Sequence, residues 1–239
     1  MKRTWFAAAP VIVALVGLLV VLAGCGFFRD AGAQTTEERG VQNVSAVRLL
    51  TSGNLTITIG SPEKLTVTAG ANQLVGLTSQ VIDGTLILDN KSSNTISGDI
   101  SYALTVAPVD SLELSGSGNA EGIGVLRGDA TLTVTGSGSA NLSGLDLTGV
   151  TVDLSGSGGA QVAGKATSQQ VTVTGSGNYD GAGLSSEQAE IEVTGSGSAS
   201  VDVSGRLSAT STGSGNITFT GNPTQVDKDS SGSGEITPG

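Results

Sequence analysis

The sequence predicts an all-β protein: a single-stranded parallel β-helix of coils about 20 residues long, with irregular coils at its N-terminal end. Three observations predict this fold. A glycine-rich tripeptide recurs at a fixed interval, a short alternating strand precedes each copy, and a second short strand follows it. We expect right-handed coiling, because parallel β crossovers have that hand almost without exception.

The tripeptide Gly-Ser-Gly occurs seven times, at intervals of 20, 20, 19, 20, 18 and 19 residues. A fixed period of this length is typical of architectures in which each repeat stacks on the next. Glycine tolerates positive φ angles and close backbone approach, so each copy predicts a tight corner. The copies begin at Gly116, Gly136, Gly156, Gly175, Gly195, Gly213 and Gly232.

Apolar residues stand four and two positions before most corners, with a polar residue between them. Leu132 and Val134 on either side of Thr133 are an example. This period-two alternation indicates a strand with one buried face. After the same corner, Ala140 and Leu142 continue the apolar positions. We therefore expect both glycines of a corner to face inward and its serine to face outward.

A single coil is too small to fold alone. Four inward side chains contribute roughly 6–12 kcal/mol by burial, whereas ordering 20 residues costs roughly 20–40 kcal/mol. Stacking coils about 4.8 Å apart lets each strand share hydrogen bonds and core with two neighbours. The alternative, a sandwich or barrel of antiparallel hairpins, needs turns about every 8–12 residues and fits the 20-residue corners less well.

The two ends of the repeat region differ from its middle. Residues 41–110 contain strand patterns without Gly-Ser-Gly, which predicts irregular early coils or a closing β layer. Residues 111–239 predict the regular coils and a C-terminal cap. In the last coil Lys228 and Ser230 replace the apolar pair. Charge at a terminal sheet edge discourages edge-to-edge aggregation.

The N-terminus has the pattern of a lipoprotein signal peptide over residues 1–24. Lys2 and Arg3 precede an apolar stretch that ends in Leu22-Ala23-Gly24-Cys25. This tetrapeptide resembles the bacterial lipobox, whose cysteine receives acyl chains, palmitate among them. We expect Cys25 to be the lipid attachment site and residues 25–40 to form a flexible tether. The alternative is an uncleaved transmembrane helix.

Composition excludes several function classes. The absence of histidine excludes Ser-His-Asp and Cys-His catalysis and any His-ligated metal. The single cysteine, Cys25, excludes an intrachain disulfide. A formal charge of −10 opposes binding to nucleic acid, whose phosphates are also negative.

We predict that the chain is not an enzyme, with no catalytic residues, no cofactor and no metal site. Asp153 and Glu192 share one outward column but are separated by Thr172, so they are expected near 10 Å apart. This is too far for a retaining glycosidase pair, although it is near the wide limit of inverting geometry. A flat threonine array for ice binding is disfavoured by these charges. Three aromatics, Tyr102, Tyr179 and Phe219, follow the tether, with Phe219 at an inward position.

The order of these motifs is similar to the family named putative auto-transporter adhesin, head GIN domain. The resemblance covers roughly residues 41–236. It is carried by Asn54-Leu55-Thr56-Ile57-Thr58-Ile59, Val81-Ile82-Asp83-Gly84-Thr85-Leu86-Ile87-Leu88, Leu104-Thr105-Val106-Ala107-Pro108, Leu112-Glu113-Leu114-Ser115-Gly116-Ser117-Gly118 and the later corners. It implies an extracytoplasmic β-helical domain, often lipid-anchored, with no established activity. No catalytic residue is carried over.

These observations predict an exported protein, lipid-anchored to the extracytoplasmic face of a bacterial membrane in the cell envelope. We expect a non-catalytic structural, adhesion or interaction module whose partner is an envelope protein or a polysaccharide. The alternative function is a polysaccharide-binding or glycan-active β-helix protein.

Overall fold

The computed structural model describes residues 31–91 and 98–239, and within them the chain forms seventeen strands and one helical turn. The predicted signal peptide and Cys25 lie outside the described residues. The N-terminal elements are β1 (Gln34–Arg39), β2 (Ala46–Leu49), β3 (Asn54–Ile59), β4 (Lys64–Gly70), α1 (Ala71–Leu74), β5 (Leu77–Ile82), β6 (Thr85–Asn90) and β7 (Ser101–Val106). The later strands are β8 (Val109–Gly116), β9 (Asn119–Ile123), β10 (Leu126–Gly136), β11 (Ser139–Gly156), β12 (Gly159–Gly175), β13 (Asn178–Gly195), β14 (Ser198–Gly213), β15 (Ile217–Thr220), β16 (Gln225–Gly232) and β17 (Ile236–Pro238).

The regular part is a stack of parallel coils, which confirms the predicted fold class. Strands β8, β10, β11, β12, β13, β14 and β16 pair in that order, each parallel to the next. The first glycine of every corner pairs with the first glycine of the next corner. The 20-residue period of the sequence is therefore one complete coil of the stack.

The alternating apolar residues fill the interior as predicted. Leu132 and Val134 have at most 1% of their surface exposed, and the corresponding residues of neighbouring coils are equally buried. Ala140 and Leu142, in the strand after the corner, are buried as well. Phe219 also faces inward, with 8% of its surface exposed. One continuous apolar core thus runs along the whole stack.

The corners are held by backbone hydrogen bonds between coils. The carbonyl of Gly175 accepts N–H bonds from Ser196 and Gly197 of the next coil, at 2.8 and 3.0 Å. The first glycine of each corner has φ between +106° and +132°. The second glycine is buried and the serine is exposed, as expected. The first glycine is partly or fully exposed, because the bend lies there, so the inward prediction is wrong for it.

The order of the early coils in the stack differs from their order in the chain. Strand β2 pairs in parallel with β6 on one side and with β8 on the other. Strand β3 pairs in parallel with β7 and β9 in the same way. The coil made by β2 and β3 therefore lies between the β6–β7 coil and the β8–β9 coil.

Antiparallel strands close the N-terminal end of the stack. Strand β5 pairs antiparallel with β6, β4 with β7, and β1 with β4. The predicted flexible tether is therefore wrong for its last residues. Gln34–Arg39 form β1, because their backbone groups complete hydrogen bonds along β4 that would otherwise face solvent. We call β1, β4, α1 and β5 the cap.

At the other end, Lys228 covers the last coil. Its ammonium lies 4.6 Å from the centre of the Phe219 ring and donates a 3.1 Å hydrogen bond to the carbonyl of Ile236. A cation over an aromatic ring is attracted by the ring quadrupole. The charge that interrupts the apolar pattern thus shields the end of the core from water.

Candidate functional site

Columns of polar side chains cover the outer face of the strands that precede the corners. One column alternates strictly between a carboxylate and a threonine over seven coils. Alternation places carboxylates two coils apart, about 9.6 Å, and avoids like charges in adjacent strands. We call this column the acid–threonine column; its members are Glu113, Thr133, Asp153, Thr172, Glu192, Thr210 and Asp229.

Asp153 and Glu192 lie in this column with Thr172 between them, where the sequence places them. Both carboxylates are exposed to solvent. The structure does not bring them together as a close pair. Among the described residues, no group of three or more histidine, cysteine, aspartate or glutamate residues is placed to hold a metal ion.

Glu113, at the start of the column, is held by hydrogen bonds. The Arg48 guanidinium contacts it at 2.7 Å (Nε to Oε2) and 3.0 Å, and the Ser115 hydroxyl donates to it at 2.9 Å. Partial burial raises the pKa of Glu113, but the hydrogen bonds from Arg48 and Ser115 outweigh it and lower the pKa overall. Arg48 belongs to β2, so this ion pair joins the early coil to the regular stack.

A polar groove lies beside this face, along the columns that stand seven and five residues before the first glycine of each corner. Its volume is about 580 Å³ and it crosses five coils. One wall is the register column Asp129, Gly149, Ser168, Gln188 and Arg206, and the other is Thr151, Gln170, Glu190 and Ser208. Carboxylates, amides, hydroxyls and a guanidinium therefore face one another across it.

Gly149 widens the groove because it lacks a side chain. A Cβ at this position would lie 3.0 Å from Oδ1 of Asp129 and 3.1 Å from Oγ of Ser168. Both polar atoms therefore border the space that a side chain would otherwise fill. Asp129 and Ser168 lie on the two coils that flank Gly149. The carboxylate of the one and the hydroxyl of the other can therefore both contact a ligand in this space.

A buried polar cluster supports the groove from behind. The Tyr179 hydroxyl donates to Oε1 of Gln169 at 3.0 Å, and Nε2 of Gln169 donates to the Ser186 hydroxyl at 2.8 Å. Ser186 in turn donates to the carbonyl of Asp202 at 2.9 Å. Burial raises the pKa of Tyr179 well above its usual range, so the hydroxyl stays protonated and keeps donating.

The repeat pattern of the sequence does not by itself predict this groove or the polar cluster behind it. A signal is present, because Gln169 occupies an inward position two residues before Val171, where other coils carry Ala130, Val150 or Ala189. An amide in an otherwise apolar column requires internal partners. Tyr179 supplies one of them from the neighbouring coil.

The aromatic side chains of the described residues are all buried. Tyr102, Tyr179 and Phe219 have 1%, 2% and 8% of their surface exposed. Ligand recognition on this surface would therefore use hydrogen bonds and charge. In the part of the chain that the structure describes, no helix has the length and apolar character to cross a membrane.

Comparison with protein families matches residues 43–223 to the family described as putative auto-transporter adhesin, head GIN domain. The chain belongs to this family. The head GIN domain accounts for most of the described stack, and the family resemblance of the motifs is thereby confirmed. No curated protein matches the chain significantly.

Several solved structures share the fold of this head GIN domain. A putative adhesin from Bacteroides fragilis is 21% identical, with a TM-score of 0.77 over 86% of this chain and 96% of that one. A putative lipid binding protein from Parabacteroides distasonis is 22% identical, with a TM-score of 0.68 over 87% and 97%. A putative adhesin from the same species is 21% identical, with a TM-score of 0.69 over 87% and 98%.

Proposed function

We propose that the chain is a lipoprotein of the bacterial cell envelope, acylated at Cys25, whose head GIN domain is a non-catalytic adhesion or interaction module on the extracytoplasmic face. Membership of a family named for adhesins supports the adhesion role. The lipobox-like Leu22-Ala23-Gly24-Cys25 supports the anchor. One structural observation carries the proposal: the stack repeats polar groups in register at a fixed coil spacing, which suits contact with an extended partner.

The anchor is tested by replacing Cys25 with serine. The variant is expected to leave the membrane fraction or to accumulate as an unprocessed precursor, because acyl chains supply the anchoring energy. Ser117→Ala, a change in an exposed corner residue, is the matched control and should fractionate as the wild type does. A C25S protein of mature size that stays with the membrane would overturn the lipoprotein assignment.

The non-catalytic role is tested by turnover assays on acidic and neutral polysaccharides. We expect no release of reducing ends, because the carboxylates of the acid–threonine column stand about two coils apart. Activity that disappears in both Asp153→Ala and Glu192→Ala would show instead that this column is catalytic. Pull-down from solubilised envelopes at native expression tests the interaction role, and no reproducible partner would count against it.

The polar groove favours polysaccharide binding as a second candidate function. Its walls offer hydroxyl, amide and charged groups across five coils, and sugar hydroxyls both donate to and accept from such groups. A sugar chain running along the stack would meet Asp129, Ser168 and Gln188, which lie on three of the five coils.

This second function is tested by polysaccharide co-sedimentation. Asp129→Ala combined with Gln188→Ala should lower retention, whereas Asp153→Ala, which removes the same charge from the flat face, should not. If Asp153→Ala lowers retention and the groove variant binds normally, the flat face is the contact surface and the groove is not.

A further inference from the structure

The described chain enters the fold beside the helical turn α1. The carbonyls of Ala31 and Ala33 accept hydrogen bonds from the backbone N–H groups of Asn72 and Ala71, both at 3.0 Å. Gly70 lies so close to Ala31 that a Cβ at Gly70 would overlap the Ala31 backbone. Ala31 is therefore already held against the cap, and folded structure begins nearer to Cys25 than the sequence predicts.

Ala31 follows Cys25 by six positions in the sequence. Even fully extended, this length spans at most roughly 20 Å. The column from β6 to β16 contains nine stacked strands, so its length is about 38 Å at 4.8 Å per strand. A lipid at Cys25 would therefore hold the cap within about 20 Å of the bilayer, and the Lys228 end could approach only if the stack lay flat.

The cap presents an apolar side chain at this point. Val75 follows α1 directly and is 89% exposed, more than any other large hydrophobic residue in the described ranges. It lies three residues beyond Asn72, about 5 Å along a helical turn, and so close to where the chain enters. A valine side chain that stays exposed to water contributes no burial free energy to folding.

The surroundings of Val75 suit a lipid surface. Residues 70–77 contain no charged side chain. Arg39 donates to the carbonyl of Leu77 at 2.9 Å, and the exposed Lys91 donates its backbone N–H to Gly76 at 3.0 Å. Glu37 pairs with Arg39 at 3.1 Å. An uncharged tip with an exposed apolar side chain suits the bilayer interface, whereas the acidic columns on the sides of the stack repel anionic lipids.

We propose that the cap rests on the lipid bilayer through Val75, so that the stack stands on the membrane with its Lys228 end outermost. This inference rests on the proposed lipid anchor at Cys25. In this orientation the acid–threonine column and the groove lie on the sides of the stack, where partners can reach them. The partner that covers the Val75 side chain is the lipid bilayer.

Single-cysteine labelling tests this orientation, because Cys25 is the sole cysteine and its thiol is acylated in the mature lipoprotein. Val75→Cys and Ile123→Cys place an environment-sensitive fluorophore at two exposed positions, 89% and 72% exposed in the wild type. The full lipidated chain is reconstituted in vesicles of phosphatidylcholine and phosphatidylglycerol that contain spin-labelled lipid. We expect blue-shifted emission and several-fold stronger quenching at position 75 than at position 123.

Equal, water-like emission at the two positions would overturn the orientation, and strong quenching at both would show that the stack lies flat. Co-sedimentation of the same samples tests the lipid anchor independently of the orientation. Protein that pellets with vesicles but shows no quenching at position 75 refutes the orientation alone. Protein that stays in the supernatant refutes the anchor and the orientation together.

Discussion

Replacement of a corner glycine tests the physical basis of the stack. In Gly175→Ala the new Cβ would lie 2.7 Å from the carbonyl oxygen of Gly156, and the backbone φ is +106°. Positive φ costs a non-glycine residue about 1–2 kcal/mol, and overpacking costs about 1–3 kcal/mol more. Displacing Gly156 also weakens the 2.8 Å hydrogen bond from Ser176, worth about 1 kcal/mol. Together these contributions predict a loss of about 3–6 kcal/mol of unfolding free energy.

Two other glycines separate these contributions. Gly128 has φ of +62° with nothing within 4 Å of the Cβ that alanine would add, so Gly128→Ala tests backbone strain alone. Its expected cost is about 1 kcal/mol, since alanine also restricts the unfolded chain. Gly40 has open space and no positive φ, so Gly40→Ala should be neutral or stabilise by a few tenths of a kcal/mol, up to about 1 kcal/mol.

Urea unfolding followed by far-ultraviolet circular dichroism gives the three free energies. Repeat proteins can unfold in parts, so a second, earlier transition in Gly175→Ala would also report damage confined to neighbouring coils. A Gly175→Ala protein no less stable than Gly128→Ala would refute the argument that close approach between stacked corners requires glycine.

Three further predictions concern the interior. Tyr179→Phe removes the donor to Gln169 and should cost about 1–3 kcal/mol in urea unfolding, because a buried amide oxygen loses its partner. Burial raises the pKa values of Tyr179 and Tyr102, so the stability they contribute is full below the ordinary tyrosine pKa of 10.0 and falls as pH rises beyond it. Unfolding measured against pH should show this loss, and Tyr179→Phe should reduce it; an unchanged profile would contradict the assignment. Leu132→Ala, at a site with no exposed surface, should cost about 2–5 kcal/mol, whereas Thr133→Ala next to it should change stability by about 0.5 kcal/mol or less.

The regular coils were predictable because their pattern is local. The interval between corners sets the length of a coil, and the parity of Leu132 and Val134 decides which side chains face inward. Both depend on residues close together in the chain. The position of Asp153 and Glu192 in one column followed from the same period.

The groove was not predicted, because side chains from five stacked coils together line it. No short stretch of sequence contains both Asp129 and Gln188, which line the same groove only because the coils stack. The buried Gln169 gave a local signal, but its partner Tyr179 lies on the next coil and ten residues away.

The sequence by itself determined the coil length, the inward and outward faces and the glycine corners, because steric preference and alternation act within a few residues. Only the tertiary structure decided the order of the early coils and the antiparallel cap that includes Gln34–Arg39. These features depend on the edges of β1 to β4, which pair with residues 26 to 65 positions away, as in Gln34 with Gly70. Such pairings are chosen by the combined hydrogen bonds and buried surface of the whole stack, which no single segment encodes.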